Sequence, residues 1–203
     1  MSALRGWVVA ATVPVRKGPS RARDARQATG AGAVASWAMS HPLSQLSAEV
    51  VAMMAGGVSV LVSSRDEHMR ASVMRAMGSS IDVAAGRVTV YVARSQAPTL
   101  LRDLEASGLV AVMFSQPTTH RTVQLKSGAI SMRPATAADA PVLERYAQAM
   151  GRELEQVGYT ASLARVMLAH RLEDLVAISF EPQEAFEQTP GPKAGARMAG
   201  GAA

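Results

Sequence analysis

The sequence predicts an α+β fold, mainly β, in which antiparallel strands form a meander or barrel with flanking helices. Apolar and polar residues alternate over Arg87–Ala93, which is the period of a half-buried strand. Further short apolar runs follow at close spacing with turn residues between them, as in an antiparallel barrel. Residues 97–107 and 135–158 instead carry the apolar spacing and the flanking Pro and Gly of helices.

The elements are expected in a simple order, with six or seven strands and helices between and after them. Strands are predicted at residues 58–64, 71–76, 79–84, 87–93, 109–114, 122–132 and 175–180. Helices are predicted at residues 43–55, 97–107, 135–158 and 160–170. Ser44 or Ser47 can cap the first helix, and Gly108 can stop the second.

Composition excludes several classes of site. Cysteine is absent, so disulfides and thiolate metal sites are excluded. No apolar run reaches the roughly 18 residues of a membrane span, and the four histidines lack metal-ligand spacing. Neither membrane insertion nor a metal site is therefore expected. No nucleophile elbow, Walker loop or dinucleotide-binding glycine motif is present, so no catalytic residue is assigned.

The chain is expected to have three parts. Residues 1–39 contain six of the 21 Lys/Arg and one of the 16 Asp/Glu, so they carry the whole net charge of +5. This composition predicts a disordered basic extension. Residues 40–190 predict one folded domain, and residues 191–203 a flexible tail. Because the folded part is neutral and poor in aromatic residues, no nucleic-acid partner is expected. A leader-like apolar run near the N-terminus is short and broken by Pro14, so a cytoplasmic location is expected.

Residues 115–126 gather the densest polar chemistry, between two predicted strands. They include four hydroxyl side chains, the imidazole of His120, the guanidinium of Arg121 and the ammonium of Lys126. Several donors and positive charges, with no carboxylate nearby in the sequence, suit a phosphate group. An ordinary hairpin with a solvated polar loop is an equal alternative on these grounds.

Cationic groups recur at two further places. Arg94, Ser95 and Gln96 stand between a strand and a helix, where a guanidinium, a hydroxyl and free N–H groups suit an anion. The alternative is that Ser95 only caps the helix and Arg94 is solvated. Arg70 and Arg75 are five residues apart on a strand, so they lie on opposite faces and at most one reaches a shared site.

Four local motifs and the order of elements over residues 43–193 resemble the pyridoxamine 5′-phosphate oxidase-like FMN-binding split barrels. Residues 70–77 are similar to the family's Arg-Pro-Ser-x-Arg-x-Val strand, and residues 121–126 to its Arg-Gln-Val strand. Residues 90–97 lead into a helix at the place where the family binds the FMN phosphate. Residues 182–188 loosely match its C-terminal motif Pro-x-x-x-Glu-Phe-Trp-Gln.

The resemblance implies an antiparallel split β-barrel with flanking helices, FMN as the cofactor, and a homodimer with FMN at the subunit interface. The cofactor-binding residues that it implies are Arg75, Ala76, Met77, Val92, Arg94, Ser95, Gln96, Arg121 and Thr122.

The chain departs from the family pattern at three points. The phosphate turn reads Arg-Ser-Gln where the oxidases have Ser-Arg-Lys, Thr122 stands in place of a Gln, and the C-terminal Arg-Leu-His that grips the pyridoxal substrate is absent. A true pyridoxamine phosphate oxidase is therefore not expected. The resemblance favours an FMN-dependent oxidoreductase acting on a small-molecule substrate. The weakened phosphate turn favours the alternative, a non-catalytic split-barrel dimer that serves as a binding or structural module without flavin.

Overall fold

The structure is a computed structural model and describes residues 41–200. In this part of the chain, helices flank a strand-rich core. The basic extension predicted at residues 1–39 lies outside the described residues. Short 3₁₀ helices at Ala137–Asp139 and Leu172–Asp174 precede α4 and β8. The α-helices are α1 (Pro42–Gln45), α2 (Ala48–Met54), α3 (Pro98–Ser107), α4 (Ala140–Gln156) and α5 (Ala161–Met167).

The strands of the described residues form two antiparallel sheets. They are β1 (Ser59–Arg65), β2 (Ala71–Arg75), β3 (Gly78–Asp82), β4 (Arg87–Ala93), β5 (Val110–Ser115), β6 (Thr122–Ser127), β7 (Ile130–Pro134), β8 (Leu175–Phe180), β9 (Glu184–Glu187) and β10 (Arg197–Gly200). The larger sheet has the order β10-β9-β6-β5-β1-β2, and the smaller sheet has the order β3-β4-β8-β7.

The two sheets enclose one main apolar core. In β1, Val60 and Val62 are fully buried, whereas Ser59, Leu61 and Ser63 alternate with them on the outward face and remain partly exposed. Strands β4 and β8 and helix α3 complete this core with residues that include Val90, Ile178, Leu100 and Leu104. The predicted α+β fold, an antiparallel split barrel with flanking helices, is confirmed.

The single strand predicted at residues 122–132 is two strands in two different sheets. Strand β6 pairs with β5 and β9, whereas β7 pairs with β8. The chain turns at Gly128, whose N–H donates to Gln183 Oε1 at 2.9 Å, and the Ser127 hydroxyl donates to the Ala129 carbonyl at 3.1 Å. The apolar positions change phase at this turn, from Val123 and Leu125 to Ile130 and Met132, and this shift was the local signal that the prediction of one strand missed.

The predicted first helix also differs from the structure. Residues 43–55 form α1 and α2, separated at Leu46, which has an extended backbone; the predicted cap at Ser47 is confirmed by its bond from the Val50 N–H at 3.3 Å. The tail predicted to be flexible from residue 191 includes β10, which pairs with β9. Short apolar strands at a sheet edge carry too few residues to show a period.

Two close contacts hold helix α4 against the segment that precedes β1. The Tyr146 hydroxyl donates to the Val58 carbonyl at 2.6 Å, and burial raises the pKa of Tyr146 well above its usual value. At Gly57 a Cβ atom would lie 2.1 Å from the Ala149 carbonyl oxygen, so the backbone of α4 approaches to a distance that only glycine allows.

A buried carboxylate fixes the start of α4. Asp139 accepts two hydrogen bonds from Arg133, both at 2.7 Å, one from the Tyr91 hydroxyl at 2.9 Å and one from the Thr136 N–H at 2.8 Å. The Arg133 guanidinium is the main cause that holds the pKa of Asp139 well below its usual value. Burial, followed by the bond to Asp139, raises the pKa of Tyr91 to about 12.

Candidate functional site

Four neighbouring strands place hydroxyl and guanidinium groups side by side on the outward face of the larger sheet. Ser115 of β5 lies opposite Ser59 of β1 and opposite Thr122 of β6. The Ser115 and Thr122 hydroxyls are 2.8 Å apart, and Arg75 Nη1 donates to Ser59 Oγ at 3.0 Å. We call these four residues, Arg75, Ser59, Ser115 and Thr122, the polar strip. The Arg75 guanidinium and the Ser59 hydroxyl can donate hydrogen bonds to an anionic or carbonyl-rich ligand, whereas the Thr122 hydroxyl is buried and already donates to the His120 carbonyl at 2.9 Å.

The backbone continues the polar strip into the smaller sheet. The Ala76 N–H donates to the Val60 carbonyl at 2.9 Å, and the Met77 N–H donates to the Tyr91 carbonyl at 2.7 Å. Strand β4 then ends at Ala93, directly before the turn at residues 94–96. The nine residues that the resemblance implied therefore lie on segments that are hydrogen-bonded one to the next, from residue 121 before β6 to the turn after β4; we call this series of segments the path.

Three residues on this path do not direct their side chains outward. Ala76 and Val92 are fully buried in the main core. Met77 is 4% exposed and belongs to a second apolar cluster that includes Tyr91 and Leu143 of α4. Successive side chains of a strand point to opposite faces, so Ala76 points inward because Arg75 lies on the outward face of β2. Only the backbone of Ala76 and Val92 remains available to a ligand.

The turn at residues 94–96 already holds a carboxylate of the same chain. Asp174 accepts from the Ser95 N–H at 3.0 Å and from the Ser95 hydroxyl at 2.5 Å, and these bonds hold the pKa of Asp174 below its usual value. Ser95 does not cap α3, whose first flanking residue is Ala97 with no side-chain bond to the helix. Ser95 therefore uses its two donors on Asp174, a partner 79 residues away in the sequence.

Arg94 and Arg75 are the cations on this path that form no ion pair within 4 Å of a described carboxylate; after the bonds from Ser95, the charge of Arg94 also contributes to the lowered pKa of Asp174. Arg94 is exposed beside Ser95, and Arg75 is half-buried on the strip. Arg70 instead pairs with Asp66 at 2.8 Å, so one arginine of the predicted pair, Arg75, reaches the strip.

Carboxylates from elsewhere in the chain pair with polar and charged side chains of the hairpin at residues 115–126. Arg121 Nη1 lies 2.5 Å from Glu49 Oε1 of α2. The Thr118 hydroxyl donates to Glu153 of α4 at 2.9 Å. Hydrogen bonds from Thr189, with a smaller contribution from the charge of Arg121, hold the pKa of Glu187 below its usual value. The sequence-based idea of a loop of unopposed donors is therefore wrong for Arg121 and Thr118, although Thr122 remains part of the polar strip.

Two other classes of site were tested on residues 41–200. No cluster of three or more His, Asp or Glu side chains there has the arrangement of a metal site. No helix in that range has the length and apolar character needed to cross a bilayer.

Comparison with solved structures gives matches to the fold at low sequence identity. No protein-family model and no curated protein matches the sequence. HupZ from Group A Streptococcus matches with a TM-score of 0.45 at 10% identity, over 74% of this chain and 99% of that chain. General stress protein 26 from Bacillus anthracis matches with a TM-score of 0.42 at 15% identity, over 68% and 89% of the two chains.

A third match bears the name of the family that the sequence motifs resemble. A pyridoxamine 5′-phosphate oxidase-related, FMN-binding protein from Nostoc punctiforme has a TM-score of 0.39 at 8% identity, over 68% of this chain and 77% of that chain. The resemblance stated from the sequence is confirmed to this extent, as a similarity to structures of that kind. Identities this low carry no information about ligands.

The residues on the path fit FMN along the strip, whereas Ser95 of the turn does not fit its phosphate. The polar strip offers donors to the oxygens of a flavin, and Arg75 and Arg94 offer positive charge to its phosphate. Ser95 offers nothing to a phosphate while Asp174 occupies both of its donors. Ser59 and Asp174 could not be predicted from the sequence, because a single serine and a single aspartate show no pattern. The strand register and the segment before β8 bring them to the path.

Proposed function

We propose that this protein binds FMN along the polar strip and acts as a flavin-dependent oxidoreductase on a small-molecule substrate in the cytoplasm. The observation that supports the proposal is the continuous path from Thr122 to Arg94, which brings together residues from five strands and the turn after β4. Binding sites of this kind commonly place a few polar groups on rigid strands to fix the orientation of a ligand.

In this proposal the roles of the protein are binding, orientation and electrostatics. A bound FMN supplies hydride-transfer chemistry of its own. Arg75 and Arg94 attract the phosphate, and the Ser59 hydroxyl orients polar atoms of the ligand. No side chain is assigned as a general acid or base.

The experiment that tests the proposal compares FMN with riboflavin, which lacks the phosphate. We expect the protein to quench FMN fluorescence on titration, and riboflavin to bind at least about tenfold more weakly because it cannot pair with Arg75 or Arg94. A colourless protein that quenches neither compound would rule out a flavin site. Equal affinities would rule out the assigned phosphate contacts.

The bond between Ser95 and Asp174 favours a second function. Because the turn is satisfied by an internal carboxylate, the fold is stable there without a phosphate ligand. A split-barrel dimer that serves as a binding or structural module without flavin is consistent with this contact. The same titration separates the two functions, since the module predicts no binding of FMN.

We further propose a homodimer formed through the outward face of the larger sheet. Leu61 of β1 and Met113 of β5 lie directly opposite each other on this face and are partly exposed, and Val73 of β2 is 61% exposed. Adjacent apolar side chains on an exposed sheet face are typical of a protein interface.

Replacing Met113 with glutamate should dissociate this dimer. A charge buried without a partner at the centre of an interface is strongly unfavourable, so we expect the dimer dissociation constant to rise at least tenfold or so. Sedimentation velocity over a concentration series measures the change. Met69→Glu, at a 70% exposed turn residue, is the matched control and should leave the oligomeric state unchanged. A wild-type protein that is monomeric at all concentrations would contradict the proposal.

A further inference from the structure

A second concave site lies at the opposite end of the larger sheet from the polar strip. It is a cavity of about 400 Å³ between the ends of β1, β5 and β6, within the range of small-ligand sites. Ser59 and Arg65 are at the two ends of β1, roughly 20 Å apart by the rise of a strand. The cavity is therefore separate from the proposed flavin site and does not depend on it.

Two cations line this cavity on the same face of the sheet. Ser63 lies opposite Ala111, and Ala111 lies opposite Lys126, so Lys126 is two strands from β1 on the outward face. Arg65 is two residues beyond Ser63 and shares that face. The two Cα atoms are roughly 12 Å apart by strand spacing and rise, a distance that a long arginine and a long lysine side chain can bridge from both sides.

Neither cation lies within ion-pair distance of a carboxylate in the described chain, although Glu184 of β9 stands directly opposite Lys126. Arg65 and Lys126 are both half-buried, and neither forms an ion pair within residues 41–200. The acidic residue of the cavity wall, Glu184, is paired with Arg197 at 2.7 Å. The cavity therefore carries a local excess of positive charge.

The remaining polar groups of the wall leave these two cations as the main donors. Ser63 donates to the Ala111 carbonyl at 3.0 Å, and Ser64 donates to the Leu109 carbonyl at 2.8 Å. Arg65 uses one of its five N–H donors on the Asp66 carbonyl at 3.3 Å. Lys126 Nζ lies 4.5 Å from the centroid of the Phe186 ring on β9, which is on the side of β6 away from Arg65, so the ammonium reaches an anion in the cavity by a change of side-chain rotamer.

We propose that this cavity binds a small anionic molecule through a phosphate or carboxylate group held between Arg65 and Lys126. Half-buried cations lose part of their hydration without gaining a counter-charge, and an anion in the cavity restores that interaction. The apolar wall formed by Leu109, Val110 and Ala111 accommodates a short uncharged portion of the same molecule.

The test is calorimetric titration of the full-length protein with inorganic phosphate and, separately, with succinate, at constant ionic strength set by chloride. Arg65→Gln and Lys126→Gln should each weaken binding of the recognised anion about tenfold, because each removes one charge-assisted contact. Lys193→Gln removes an exposed cation outside the cavity and should change the affinity less than about twofold.

The outcome also identifies the chemical class of the ligand. Binding of phosphate that is lost in both variants assigns a phosphate group, and binding of succinate alone that is lost in both assigns a carboxylate. Circular dichroism confirms that each variant is folded, and the two separate variants give independent tests. Absence of binding of both anions up to roughly 10 mM, or variants that bind like the wild type, would overturn the proposal.

Discussion

Replacement of Arg75 by alanine is expected to weaken FMN binding by at least about tenfold. The change removes a guanidinium that Ser59 holds at 3.0 Å and that no described carboxylate neutralises, so its charge is available to a phosphate. A hydrogen bond to a charged group contributes roughly 1.5–3 kcal/mol. Each 1.4 kcal/mol or so corresponds to a factor of ten in the dissociation constant. Fluorescence titration with FMN measures the effect.

The chain itself supplies two matched controls for Arg75. Arg70 lies just before the same strand and pairs with Asp66, so Arg70→Ala should change the affinity less than about twofold. Arg121 belongs to the implied site but is paired with Glu49, so we expect Arg121→Ala to weaken binding less than about threefold. An equal loss in the Arg75 and Arg70 variants would show a general charge effect instead of a site at the strip.

Asp139→Asn is expected to lower the free energy of unfolding by about 2–3 kcal/mol at pH 7. The carboxylate is 5% exposed and accepts from Arg133, Tyr91 and Thr136, and an amide cannot accept all of these bonds. The side chain of Arg133 is 49% exposed, so water screens part of its loss. Urea unfolding measures the change. Asp82→Asn, at the exposed end of β3, is the matched control and should cost less than about 1 kcal/mol.

The same carboxylate predicts a pH dependence with a definite sign. The pKa of Asp139 is lower in the folded protein than in the unfolded chain, where it is about 3.9. Its stabilising contribution is therefore complete above that pH and is lost as the pH falls toward the folded pKa. The difference in stability between the wild type and Asp139→Asn should shrink between pH 5 and pH 2 or so. A difference of equal size at pH 3 and pH 7 would show that Asp139 acts through its shape alone.

Local patterns were sufficient for most of the secondary structure. The alternation of β4, the apolar stripe of α4 and the glycine that stops α3 are properties of neighbouring residues. Gly108 adopts the left-handed φ of 68° that a helix end commonly requires. The strand class, the flanking helices and the place of Arg75 and Thr122 on strands were therefore accessible without tertiary information.

Contacts between residues that are far apart in the sequence could not be predicted from local patterns. Asp174 fills the turn at Ser95 from 79 residues away, and Glu49 reaches Arg121 from 72 residues away. These pairings depend on which strands meet and in which register, and neither is encoded in the period of one segment. The choice of partners for β6 and β7 is of the same kind, since β6 pairs with β5 and β9 whereas β7 pairs with β8 in the other sheet.

By itself, the sequence determined the α+β class, the order of most elements and the residue types from which an anion site can be built, because propensity and period act over a few residues. Only the tertiary structure decided which of those residues retain an unopposed charge. It neutralised Arg121 and occupied Ser95, and it left Arg75 half-buried beside the Ser59 hydroxyl without a carboxylate partner. The physical reason is that the net charge of a site depends on every group within a few ångströms, and folding assembles those groups from the whole chain.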